Sequence, residues 1–234
     1  MKKLTTLLIL LFITVAACSS GTADLSDNIN ILQPAAATDS PNGTNVTNQQ
    51  PTLATAVPVN VEFKDEDLET SENSADLTII TLDGSAINVA GEESVVNGSN
   101  LTVTAAGTYQ ISGTLNDGQI IVDTKDAENV TLILDGVNIT SSNSAPIFIA
   151  NAEKVILTLA PGSQNIVTDG NTYTNLDEGG EPNAAIFSKD DLTINGEGAL
   201  TVNANYNNGI ASKDDLKITS GAITVNAGQM SWFC

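Results

Sequence analysis

Between Leu77 and Ala227 the chain is built from short runs in which apolar residues alternate with Thr, Gln or Lys. They are 77–82, 101–103, 109–111, 119–122, 130–134, 155–159, 192–194, 200–202, 216–218 and 223–225. A period of two is the mark of a half-buried strand, and the Gly, Asn and Asp between the runs mark turns. Nothing in this stretch has the spacing of an amphipathic helix. Upstream the pattern dissolves. From Ser19 to about Val59 the chain is Thr-, Asn-, Ala- and Ser-rich, with Pro34, Pro41, Pro51 and Pro58 scattered through it, which reads as a solvated, disordered tether. Asn60 to Ser74 is acidic and transitional. Residues 1–17 have a basic start, Lys2 and Lys3, then an apolar run from Leu4 to Val15 and two small residues before Cys18. That is a secretory signal, too short in its apolar part for the roughly 20 residues of a membrane span.

The runs repeat. Ile186-Phe-Ser-Lys-Asp-Asp-Leu-Thr-Ile194 returns 24 residues later as Ile210-Ala-Ser-Lys-Asp-Asp-Leu-Lys-Ile218, and Leu200-Thr-Val-Asn-Ala204 returns 23 residues later as Ile223-Thr-Val-Asn-Ala227. A looser copy pairs Ala127–Leu132 with Ala152–Leu157. Three short strands in a unit of about 24 residues enclose nothing alone, so the units must stack, with equivalent strands paired in parallel roughly 4.8 Å apart and apolar columns forming the core. The expected fold is all-β, a parallel β-helix over 60–227 with three short strands per coil. A β-sandwich or β-propeller is the competing architecture. Residues 228–234, with Trp232, Phe233 and Cys234, break the repeat and read as the end of a truncated piece.

Stacking would set Asp190 over Asp214 and Asp191 beside Asp215. At about 5 Å and an effective dielectric near 20, each like-charged pair would repel by about 3 kcal/mol. Strict alternation would also turn Asp190 and Asp214 inward, at prohibitive cost, so the chain must turn at Ser-Lys-Asp-Asp. Two readings remain open for the four aspartates: calcium ligands drawn from neighbouring coils, or a polar turn. The loop from Asn171 to Asn183 carries Asp177, Glu178 and Glu181 among glycines, either to close over a cation or as plain polar loop.

Charge and composition narrow the chemistry. The formal net charge is −20, with 28 acids against 8 lysines and no histidine or arginine. Loss of residues 1–17 removes two lysines and makes it −22. Such a field repels nucleic acid, and a polyanion would need a metal bridge. Ser-His-Asp or Cys-His catalysis, imidazole zinc sites and arginine clamps lack their parts. With Cys18 and Cys234 alone, no disulfide framework exists. Aromatics are few. Tyr173 and Tyr206, in loops flanked by Asn and Gly, are candidate carbohydrate platforms, whereas Phe148 and Phe187 sit in strand-like runs and are expected in the core.

Two resemblances add to this. Val15-Ala16-Ala17-Cys18 resembles the bacterial lipobox, which implies an acylated Cys18 and attachment to a bacterial membrane through lipid. The stretch from about Val61 to Ala227, with Ala106–Leu115, Leu134–Thr140, Ser144–Ile147 and the Ser-Lys-Asp-Asp-Leu repeats, looks like the bacterial surface family of carbohydrate-binding domain-containing proteins. That resemblance implies a right-handed parallel β-helix shaped like pectate lyases, calcium held between coils, and plant cell-wall polysaccharides such as cellulose or pectic acid as ligands. The expected function is calcium-dependent polysaccharide binding at the cell surface. The alternatives are a calcium-dependent polysaccharide lyase using Lys189 or Lys213 as base, and a purely structural or adhesive surface protein.

Overall fold

All ten alternating runs become strands in the computed structural model, which describes residues 62–70, 77–91, 93–174 and 176–228. Cys18, the tether, Trp232, Phe233 and Cys234 lie outside the described residues. The order is a short helix α1 (Asp65–Leu68), then β1 (Leu77–Gly84), β2 (Ala86–Ala90), β3 (Ser94–Asn97), β4 (Asn100–Val103), β5 (Gly107–Leu115), β6 (Gln119–Asp123), β7 (Val130–Ser141) and β8 (Ile147–Asn151). The later half holds β9 (Lys154–Leu159), β10 (Gln164–Asp169), β11 (Ala184–Ser188), β12 (Asp191–Gly196), β13 (Ala199–Ala204), β14 (Asn208–Ser212), β15 (Leu216–Ile218) and β16 (Ala222–Ala227).

The architecture corrects one expectation. The chain is all-β, but its strands lie in two mixed sheets that do not close, and the layout is not the right-handed parallel β-helix with three strand columns. A ten-stranded sheet contains the path β15-β12-β9-β7-β10-β13-β16, with β5 paired to β7, β1 to β5, and β2 to β1. A six-stranded sheet runs β14-β11-β8-β6-β4-β3. Two local features account for the difference. The pairs β1–β2 and β3–β4 are antiparallel hairpins, so the first layers do not coil. The 12-residue β7 then pairs with β9 through its first half and with β10 through its second, fusing two expected columns into one sheet.

The repeat itself survives as register. Each late unit gives one strand to the small sheet and two to the large one, and equivalent residues pair in parallel: Leu192 with Leu216, Leu200 with Ile223, Ile186 with Ile210. Inward residues of both sheets, among them Ile111, Leu132, Val155 and Leu200 from the large and Leu101, Ile120, Ile147 and Ile186 from the small, meet in one core. Phe187 and Ala184 lie on the other side of the small sheet, in a second cluster with Tyr173 and Ala211 against which Phe148 packs.

Layers approach closely at the bend between β12 and β13. Gly196 has φ +103°, and a Cβ there would sit 2.2 Å from the Leu159 carbonyl oxygen. Gly196→Ala is therefore expected to cost about 2 kcal/mol or more of folding free energy, from left-handed strain and overlap together. Denaturant titration checks this, and an unchanged midpoint would show that the layers can part freely.

The large sheet also has a covered outer face. There α1 packs on β12 through Asp67, which is fully buried. Its carboxylate takes the Nζ of Lys154 in a close ion pair, the Thr193 hydroxyl at 2.7 Å, the Lys64 backbone N–H at 2.9 Å and the Lys217 Nζ at 3.3 Å. Its carbonyl accepts from Asn195 and Thr219. One side chain thus fastens the 62–70 segment across β9, β12 and β15.

Candidate functional site

The chain turns where the burial argument requires. Residues 189–190 link β11 to β12, and 213–215 link β14 to β15. In each turn the serine hydroxyl bridges backbone groups, the habit that makes Ser and Asp turn formers. Ser188 Oγ donates to the Asp190 carbonyl at 2.6 Å and accepts the Asp190 N–H at 3.2 Å, while Ser212 Oγ reaches the same carbonyl at 2.8 Å. The carboxylates tie layer to layer. Asp190 Oδ2 accepts the Ala152 N–H at 2.9 Å, and Asp191 Oδ1 accepts the Asp215 N–H at 3.2 Å. Thr124-Lys125-Asp126 is a third copy, with Asp126 Oδ2 on the Ala106 N–H at 2.8 Å. The predicted repulsion is met by backbone donors and by solvent, since Asp214 and Asp215 are exposed. Among the described residues no group of three or more Asp, Glu, His or Cys that could hold a metal comes together.

The loop acids turn to the lysines of those turns. Asp177 pairs with Lys189 at 2.8 Å and Glu181 with Lys213 at 2.5 Å, while Glu178 is exposed. The two pairs tie the loop to successive layers, and Lys189 Nζ lies 6.0 Å from the Phe148 ring centre. The Asp177 hydrogen bond pulls the Lys189 ammonium above its ordinary range, and the same bond holds the Asp177 carboxyl below its own. An ammonium paired in this way keeps its proton, the reverse of what a general base needs.

Tyr173 and Tyr206 are brought together, but not as two open platforms. Their rings stack with centres 4.2 Å apart and planes 15° from parallel. Tyr173 is buried, and its hydroxyl donates to Asp169 Oδ2 at 2.8 Å and to the Ala184 carbonyl at 3.1 Å. Tyr206 is half-buried and keeps an accessible surface.

Asp169 holds this arrangement and escaped the sequence reading. It ends β10 on the inward parity of Val167 and is 2% exposed. Besides Tyr173 it accepts the Asn205 backbone N–H in a short hydrogen bond, and its carbonyl accepts Asn205 Nδ2 at 2.6 Å. Burial pushes its carboxyl above the ordinary range, with those donors pulling the other way. A raised folded value favours folding at pH below the unfolded carboxyl value, and that contribution is lost as pH rises through the folded one. The signal was available: an acid on an inward strand position must have partners.

Beside this pin runs a row of side chains set by parallel register. Thr168 pairs with Asn203 and Asn203 with Asn226 across β10, β13 and β16. Asn203 Nδ2 donates to Thr168 Oγ1 at 3.1 Å, and Asn226 Nδ2 to Asn203 Oδ1 at 2.9 Å. Each amide spends one donor in the row, out of two donors and two acceptor lone pairs. The row lines a groove of about 690 Å³, to which Ala204, Asn205, Val225, Ala227 and Gly228 also contribute. A second cleft of about 410 Å³ lies beside α1, between Glu66, Thr108, Asn129 and Ile156. Its Glu66 is engaged in holding α1 down, paired to Lys154 at 3.0 Å and to Asn129 at 3.4 Å. The groove is therefore the better candidate: a shallow trough lined by amides and small apolar residues.

A family model described as carbohydrate-binding domain-containing protein matches residues 97–231. A carbohydrate-binding domain-containing protein of Acetivibrio thermocellus is 49% identical over 150 residues, which are 63% of this chain and 52% of that one. The chain thus spans about half the length of that relative. A solved structure of a polysaccharide lyase-like protein from C. thermocellum, a gadolinium derivative, is 47% identical with a TM-score of 0.63, over 65% of this chain and 62% of its own.

Proposed function

The chain belongs to the family of carbohydrate-binding domain-containing proteins, and on that premise we propose that it is a non-catalytic polysaccharide-binding module, exported and anchored through an acylated Cys18. The observation that carries this reading is the hydrogen-bonded row Thr168–Asn203–Asn226. Strands that pair in register repeat side chains roughly every 4.8 Å, so the row offers amide donors and acceptors along a line, as a sugar chain needs, while Tyr206, which keeps an accessible surface, is the aromatic candidate for C–H faces.

Charge favours a neutral glucan over a polyuronate. Lys64, Lys154, Lys189, Lys213 and Lys217 all make ion pairs within the protein, which leaves little to meet sugar carboxylates in a chain of net charge −20. A uronate would then need calcium as a bridge. The lyase reading loses support from the same lysines, because Lys189 is held protonated.

The test is incubation of the full chain with amorphous cellulose and with polygalacturonate, each with calcium and with a chelator. Retention on cellulose that a chelator leaves unchanged, with no new absorbance from unsaturated sugar ends, is the expected result. Unsaturated ends from polygalacturonate would overturn the non-catalytic assignment, and retention on neither polymer would leave a structural or adhesive role.

A further inference from the structure

The groove does not account for a second polar recess at the turns of earlier layers, where Ser141 at the end of β7 pairs with Asp169 as Thr140 does with Thr168. Ser99 precedes β4 and Asn100 opens it, Asp117 to Gln119 lead into β6, and Ser141 ends β7 with Asn143 just beyond. Together they line a recess of about 190 Å³, well beyond the ~15 Å³ that one water needs. The turns are stacked so tightly that a Cβ on Gly118 would fall 2.0 Å from the Ser99 carbonyl oxygen. Asp117 fixes the next layer, its two carboxylate oxygens accepting the Ser142 N–H at 2.8 Å and the Ser142 hydroxyl at 3.0 Å.

One member of this lining is left over. Ser141 is 1% exposed, and its hydroxyl has no hydrogen-bond partner in the protein. A buried polar group without a partner costs free energy, and a strand end tolerates it when something else supplies the bond. The surrounding groups indicate what that is. A hard cation wants oxygen acceptors only, and the recess has one carboxylate whose oxygens both already accept. Three side-chain amides, Asn100, Gln119 and Asn143, bring donors and acceptors mixed, and no aromatic ring is among the lining residues. Mixed donors and acceptors without a flat apolar face match a group of hydroxyls, each of which both gives and takes a hydrogen bond.

From this we infer that the recess lined by Ser141, Asp117, Asn100 and Asn143 is a separate binding site for the hydroxyls of a single sugar ring, with the Ser141 hydroxyl as the buried contact. The inference rests on the carbohydrate reading for its ligand class but not on the groove for its location. A polymer would lie along the groove, whereas this recess takes one unlinked or terminal ring.

The test follows the side-chain amide signals of Asn100, Gln119 and Asn143 by NMR in the full chain as D-glucose is added, with glycerol and calcium chloride titrated separately. The expected result is a saturable shift with glucose that is about tenfold weaker in affinity in Ser141→Ala, the worth of one hydrogen bond to a buried hydroxyl. Because that hydroxyl has no partner in the protein, Ser141→Ala should melt no lower than the parent. Ser94→Ala removes another buried, unpartnered hydroxyl outside the recess and should leave the glucose titration unchanged. The inference is overturned by the absence of a saturable shift with glucose, by equal affinity in Ser141→Ala, or by a response to calcium chloride alone. Retention on cellulose, scored in parallel, keeps the two claims apart: a protein still held by cellulose with a silent recess loses only this inference.

Discussion

Asp67→Ala should destabilise the protein by about 3–5 kcal/mol, the range seen when one partner of a buried ion pair is removed. The reason is what the substitution leaves behind. Lys154, 3% exposed, would keep only Glu66 at 3.0 Å, and the Thr193 hydroxyl and the Lys64 N–H would lose their acceptor. Because the cost lies in the stranded charge, Asp67→Ala combined with Lys154→Met should recover much of the loss, and a double variant as weak as the single would contradict that. The pH dependence has a definite sign. Burial alone would raise the Asp67 carboxyl, but the Lys154, Lys64, Thr193 and Lys217 donors outweigh it and hold it well below the usual carboxylate range. Its contribution is then complete above the unfolded value of about 3.9 and fades as pH falls from there through the depressed folded value. Denaturant midpoints of parent and Asp67→Ala should differ most near neutrality and converge in acid.

Asn203→Ala combined with Asn226→Ala should weaken binding of a cello-oligosaccharide by roughly thirtyfold, at about 1 kcal/mol for each amide hydrogen bond to the sugar that is removed. Asn226 is exposed and Asn203 half-buried, and their bonds run along the groove rather than into the core, so the double variant is expected to fold. Isothermal titration of parent and variant checks the ratio, with the denaturation midpoint as the control for folding. Unchanged affinity in a folded variant would move the ligand off the amide row.

Much of this was legible in the residues, and the limits have physical causes. Alternation gave the strands because burial on one face is a local, period-two property, and the recurrence of Ser-Lys-Asp-Asp gave the parallel register of β12 with β15. How many sheets those strands join was not legible. That depends on whether Val130–Leu134 and Val137–Ser141 part at Asp135-Gly136 or run on as one strand, and β7 runs on. The clamp at Asp67 is hidden in an acidic transitional stretch because its partners lie 87 and 126 residues away, at Lys154 and Thr193. The four aspartates do fall at turns, where Asp190 and Asp191 each give one carboxylate oxygen to a backbone N–H of a neighbouring layer, contacts that the repeat alone does not show. Tyr173 and Tyr206 stand out in the sequence as a pair of interest. Their stacking on each other, with Asp169 as the pin, follows from the inward parity of a residue that the repeat never highlighted.

The most direct test of the groove as the ligand site is to map, residue by residue, the backbone amide shifts of the full chain when a cello-oligosaccharide is bound. The account predicts that the perturbed residues cluster at 168, 203–206 and 225–228. Perturbation centred on α1 or on the Lys189 and Lys213 turns, with the amide row silent, would contradict it.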